Sequence, residues 1–265
     1  MIPVVSQIAW STEEEEAVLQ RLQCSGIAHL ELAPGRLAPD PLKAEGEAAG
    51  IAGGFARYGL TPLAFQSLLF LKPELRVFGE NAQECADYLI GIGKFARSIG
   101  VDRMVFGSPV NRRVPEGWPR EKVVAHAIEF FRAVGEGLKP FGVVLALETN
   151  PVEYQSNFAT TLAETVEWLR AVDHPNVGLN LDTGALTLTG ESVELLIAEN
   201  VGLVRHVHIS EPMLAPLSVK NPVHGRVLVA LRSAGYSGSV SLEMKRPAGG
   251  LKAIGESVDR FMEFF

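Results

Sequence analysis

The stretch 143-VVLALETN-150 decides how this chain folds. It is an unbroken apolar run that ends in one carboxylate, Glu148, just before an Asn150-Pro151 turn signal. A Val/Leu/Ala run bounded by turn residues reads as a strand buried on both faces, as in a parallel sheet covered by helices. An acid at the end of such a strand is costly unless something pairs with it. Three later segments repeat the arrangement: residues 177–182 end in Asp182, residues 203–210 carry His208, and residues 239–245 carry Glu243. Four consecutive strand ends therefore offer Glu, Asp, His and Glu. Strand-end acids can simply pair with Lys or Arg, but four donors in succession point to a metal ion.

Upstream of this stretch, apolar runs at 2–9, 27–32, 60–66 and 101–107 predict four more strands. Helical patterns follow at about 13–25, 40–58, 81–99 and 120–139, and then at 160–172, 191–199, 222–234 and 251–265. Ser11 or Thr12 opens the first of them as a capping box, with acids in the first turn suiting the helix dipole. Eight strand–helix units with right-handed crossovers predict a closed (β/α)8 barrel, a TIM barrel, in one domain over residues 1–265. An open doubly wound sheet would carry a glycine-rich phosphate turn after the first strand, and Ile8-Ala9-Trp10-Ser11 is nothing like one.

Composition narrows the partners. The 265 residues are 47% hydrophobic with a formal net charge of −7, which opposes a nucleic-acid partner, since that needs a basic footprint. MIPVVSQIAW has no basic n-region and no apolar run reaches membrane-spanning length, so a soluble, cytoplasmic protein is expected. Cys24 and Cys85, in helical segments without CxxC spacing, are expected to be reduced and buried. The sequence leaves a homo-oligomer open.

In a closed barrel the carboxyl ends of the strands converge on one rim, where chemistry is placed. Glu148, Asp182, His208 and Glu243 then line one half of it, a mostly hard donor set suited to Mn²⁺, Mg²⁺, Co²⁺ or Zn²⁺. The motifs LALETN, NLDTG, HVHIS and GYSGSVSLEMK carry these residues at separations of 34, 26 and 35. With them, the chain resembles the xylose isomerase-like barrel superfamily, in its sugar isomerase/epimerase branch of ketose 3-epimerases and hydroxypyruvate isomerases. The resemblance implies that these four residues hold one divalent cation, commonly Mn²⁺ or Co²⁺, with two positions left for adjacent sugar oxygens. It also implies that Glu148 and Glu243 flank the carbon between those oxygens, one removing its proton to give a metal-stabilised enediolate and the other returning a proton.

Two positions depart from that pattern. The epimerases usually carry a His three residues after the metal Asp and an Arg six residues after the metal His; here these are Ala185 and Leu214. Candidate replacements as substrate contacts are Arg112, Glu153, Tyr154 and His224, the last as an imidazole over the rim. Glu31 and Gln66, near the ends of the second and third strands, are expected to reach the substrate across the rim. Trp10 and residues 68–71 can wall the pocket, and His206, one pleat below His208, is expected to pack beneath it. The departures keep a metal-dependent lyase in play, a dehydratase of keto-sugars or keto-cyclitols (inosose dehydratase-like). An endonuclease-IV-like nuclease would need further histidines where this chain has Gln66, Ser108 and Ala185. No glycine-rich anion cradle follows the last two strands, which favours neutral over phosphorylated sugars.

Overall fold

A computed structural model, describing residues 1–218 and 220–265, turns each apolar run into a strand of four to seven residues. In chain order these are β1 (Ile2–Ser6), β2 (His29–Leu32), β3 (Thr61–Phe65), β4 (Arg103–Phe106), β5 (Val144–Glu148), β6 (Val177–Asp182), β7 (Val204–Ser210) and β8 (Ser239–Glu243). Each pairs in parallel with its sequence neighbours, and β8 closes on β1. The (β/α)8 barrel read from the sequence is the observed fold. The seam between β3 and β4 is the thinnest, pairing only Ala64 with Arg103 and Phe65 with Met104. Pro62 lies in β3, where it cannot donate to a ladder, and the register with β2 shifts beside it.

Side-chain period decides what each strand does. Leu145 and Leu147, Leu179 and Leu181, Val207 and Ile209, Val240 and Leu242 join the apolar core against the helices. The alternate positions on β6–β8 point into the barrel and are polar: Asn180, His206, His208, Ser239 and Ser241 are all fully buried. The strands are buried on both faces as expected, and on β6–β8 the face turned to the barrel interior is polar. Those buried groups are tolerated because they bond one another.

The helices are α1 (Glu15–Cys24), α2 (Pro34–Leu37), α3 (Ala48–Ala56), α4 (Ala82–Ser98), α5 (Arg120–Leu138), α6 (Leu162–Val172), α7 (Thr183–Thr189), α8 (Glu194–Asn200), α9 (Pro222–Ser233) and α10 (Gly250–Met262). Ser11 makes the capping box, ahead of a 3-10 turn that leads into α1. The single helix expected over 40–58 is a 3-10 stretch, Pro41–Glu47, that runs into α3. Cys24 is exposed, contrary to expectation, because it closes α1 on the solvent side, while Cys85 is buried and its thiol pushed up to about 12 by that burial. Among the described residues no helix is long and apolar enough to cross a membrane.

Candidate metal centre

Strand register brings four distant residues together. Asp182 lies directly opposite His208 across β6 and β7, Glu243 pairs with Ser210 two residues beyond His208, and Glu148 pairs with Asn180 two residues before Asp182. All four side chains share the inward face, and their donor atoms lie within 4.8 Å of one another. His208 Nδ1 is 3.1 Å from Glu148 Oε1, 3.1 Å from Glu243 Oε2 and 4.0 Å from Asp182 Oδ2. Donors about 2.1 Å from an ion stand roughly 3.0 Å apart on one octahedral edge and about 4.2 Å apart across it. His208 Nδ1 is fully buried and makes no hydrogen bond. An orphaned imidazole nitrogen among three carboxylates fits a divalent cation in chemistry and in spacing.

Three of the four donors are braced from behind. His208 Nε2 donates to Glu31 Oε1 at 2.9 Å, which leaves Nδ1 as the lone-pair nitrogen, in the carboxylate–histidine arrangement typical of metal sites. Glu31 also accepts from Ser241 Oγ and Gln66 Nε2, and His206 Nε2 lies 3.3 Å away. Glu148 accepts from Asn180 Nδ2 at 2.7 Å and Asn150 Nδ2 at 3.0 Å. Asp182 caps α7 by accepting from the Ala185 N–H, and takes a further bond from Ser210 Oγ. Two glycines let the backbone come this close: a Cβ on Gly107 would sit 2.5 Å from Glu148 Oε2, and one on Gly184 would sit 2.7 Å from Ser210 Oγ.

The electrostatics follow from this crowding. Burial and the charges of Glu148 and Glu243 push Asp182 up to about 8. Glu243 is also raised, first by burial. Burial works against charge on Glu148 too, yet His208, Asn150 and Arg112 draw it below the usual carboxylate range. Burial opposes a proton on His208, but Glu243, Glu31 and Glu148 outweigh it and raise the imidazole well above its ordinary value. Without a cation the cluster must hold protons, because four such groups cannot share the space as three anions and a neutral ring.

The remaining sequence candidates divide. Gln66 and Tyr154 line the cavity over the cluster, with Glu148, Asp182 and Glu243 at its floor. Glu31 does not face the cavity; it is fully buried under His208, because its place on β2 points it into the barrel centre. Arg112 is fully buried and absent from the cavity wall, its guanidinium unpaired and lowered to about 10 by that burial. Glu153 is exposed in the loop after β5 and does not line the cavity. His224 is neither over the rim nor at the surface. It is fully buried at the start of α9, bonded to Thr183 Oγ1 at 3.0 Å and Glu211 Oε1 at 2.9 Å, and so buttresses the loop that presents Asp182. Trp10 is buried off the cavity, whereas Leu69 and Phe70 do wall it. Ala185 is buried and contributes its backbone to Asp182, while Leu214 lines the cavity. The sequence reading missed α7 and the amides of Asn150 and Asn180; the period-two partner of Asp182 was the signal for Asn180.

The pattern of the family described as xylose isomerase-like TIM barrel matches residues 19–264. The chain belongs to that family. An inosose isomerase of Halalkalibacterium halodurans is 25% identical over 199 residues, covering 71% of this chain and 68% of that protein. An L-ribulose 3-epimerase of Mesorhizobium japonicum is 30% identical over 110 residues, covering 42% of this chain and 37% of that one. Among solved structures, D-psicose 3-epimerase of Clostridium cellulolyticum H10 with D-tagatose superposes with a TM-score of 0.81 at 17% identity, covering 100% of this chain and 98% of the other.

Proposed function

We propose that this xylose isomerase-like barrel is a divalent-metal-dependent sugar isomerase or epimerase acting on a keto-sugar or a related polyol. Glu148, Asp182, His208 and Glu243 would hold the cation, Mn²⁺ for preference, and Glu148 and Glu243 would also move the proton. The observation that carries the reading is His208 Nδ1, buried without a hydrogen bond between carboxylate oxygens at cation-site spacing. The named isomerase and epimerase relatives support the reaction class.

When bound, the cation would supply Lewis-acid charge beside the oxygens of a carbonyl and its neighbouring hydroxyl. The chain's own residues do the rest. Glu148, fixed by two amide donors that favour its charged form, would take the proton from the carbon between those oxygens. Glu243, which comes from β8, would return a proton from the opposite face, which inverts the centre. Gln66 and Tyr154, with other polar side chains of the lining such as Asn150 and Ser108, would serve the remaining hydroxyls. Burial of the floor excludes bulk water from the carboxylates and strengthens their action on the substrate.

A panel of ketoses, inososes and keto-glycosides incubated in D₂O with Mn²⁺ and followed by NMR tests this reading. Solvent deuterium at one carbon, with inversion or carbonyl migration, is expected. Loss of water would assign the lyase chemistry instead, and no exchange on any member would refute the proposal.

A further inference from the structure

The cavity above the floor changes character with height. Its base is polar and acidic, with Glu148, Asp182, Glu243, Asn150 and Gln66. Its mouth is mostly apolar: Leu69 and Phe70 after β3, Val110 after β4, and Met213 with Leu214 after β7, with Ser67, Ser108 and Asn111 between them. Phe70 is 81% exposed, Met213 59% and Val110 47%. Among the described residues that line the cavity there is no Lys, Arg or His.

This mouth is built rather than frayed. Met213 and Leu214 both take left-handed backbone, at φ 59° and 57°, which costs energy for non-glycine residues. Three hydrogen bonds hold them there: the Met213 N–H donates to Tyr154 Oη at 3.1 Å, the Leu214 N–H to the Glu211 carbonyl, and the Lys245 N–H to the Leu214 carbonyl. Six of the seven positive-φ non-glycine residues among those described lie in loops of this rim: Ser67, Ser108, Gln155, Ala159, Met213 and Leu214. The volume is about 530 Å³, within the range of roughly 300–1,000 Å³ for pockets that take drug-sized ligands, and more than a free pentose or hexose fills.

A ligand must match both zones. Sugar hydroxyls at the height of Phe70 and Met213 would find few hydrogen-bond partners, Tyr154 Oη, Ser67 and Ser108 among them, on a wall that is mostly apolar. A phosphate or carboxylate there would find no Lys, Arg or His on the cavity wall to pair with. We infer that the substrate is an uncharged keto-sugar carrying an apolar substituent, a glycoside with an alkyl or aryl aglycone. The ring would face the Glu148–Glu243 floor and the aglycone would sit on Phe70, Val110, Met213 and Leu214. This rests on the reaction proposed above for the floor.

Calorimetric titration of the Mn²⁺-loaded protein with methyl, propyl and pentyl β-glucosides, below their micellar concentrations, tests the mouth without needing turnover. Affinity is expected to rise about three- to fourfold per methylene, the worth of burying one in an apolar site. In the double variant Phe70→Ser/Met213→Ser that increment is expected to fall to near unity. A flat series in the natural protein, or an unaltered increment in the variant, would overturn the inference. So would sedimentation of a dimer that the same substitutions dissociate, since the patch would then belong to a second copy. Deuterium exchange on the matching keto-glycosides separates the two readings. Exchange on the methyl compound with a flat affinity series retains the reaction and removes the aglycone. A steep series with no exchange on any keto-sugar retains the apolar mouth and removes the reaction.

Discussion

Replacing Glu31 by Gln tests the idea that the cluster is braced from inside the barrel. Glu31 is fully buried and accepts from His208 Nε2 at 2.9 Å, Ser241 Oγ at 2.9 Å and Gln66 Nε2 at 3.2 Å, with His206 Nε2 3.3 Å away. Glutamine keeps the volume, removes the charge, and turns one acceptor into a donor that faces other donors. Breaking a buried, hydrogen-bonded charge pair costs about 3–5 kcal/mol. The ring of His208 also loses what fixes its tautomer, which typically lowers metal affinity about 10–100-fold. Burial opposes charge on Glu31, but the two histidines hold its carboxyl well below the usual carboxylate range. A depressed carboxylate stabilises above its unfolded pKa and loses that contribution as pH falls towards its folded one. The gap between natural protein and variant is therefore expected to be full at neutral pH and to shrink as pH falls below about 4.5. Urea unfolding in EDTA measures the stability change and Mn²⁺ titration the affinity. A loss under about 1 kcal/mol, the worth of an ordinary neutral hydrogen bond, together with unchanged Mn²⁺ affinity would refute the bracing argument.

Saturating Mn²⁺ at about 100 times its Kd should stabilise the chain by about 2.7 kcal/mol, read as a rise in Tm of roughly 5–10 °C that EDTA reverses. At one fixed Mn²⁺ concentration that rise should be larger at pH 8 than at pH 5.5. Asp182, raised to about 8, holds a proton in the metal-free fold but not when unfolded, so metal-free stability falls as pH climbs through neutrality while the cation competes better. Glu148→Gln and Glu243→Gln should each lower deuterium exchange by about 10²-fold or more, with folded circular dichroism retained; exchange within a few-fold of the natural protein would remove that residue from the chemistry. His224→Ala should cost about 1–3 kcal/mol in urea by leaving Thr183 and Glu211 short of a partner inside the protein, and a neutral result would deny it a buttressing role.

Most of the floor was legible because it is written in strand periodicity. VVLALETN, NLDTG, HVHIS and SVSLE each place a donor at a strand's inward-facing end, and the barrel rule converts four such ends into one site. The loop residues were read less well. A loop side chain's direction depends on where its backbone reverses, and here that is set by left-handed residues such as Ser108, Gln155 and Ala159 that carry no glycine signature. That is why Arg112 turned out to be buried and Glu153 to face solvent, whereas Tyr154 reached the cavity. Glu31 was misplaced for a different reason: its strand was located correctly, but its depth in the barrel depends on the stagger between β2 and β7, which the residues of β2 alone do not encode.

Metal content after equilibrium dialysis against Mn²⁺ tests the central claim most directly, measured for the natural chain and for Asp182→Ala and His208→Ala variants that keep a folded circular dichroism spectrum. The account predicts one ion per natural chain and none retained by either variant. Retention of the ion by both variants, or a natural chain that binds none, would contradict it.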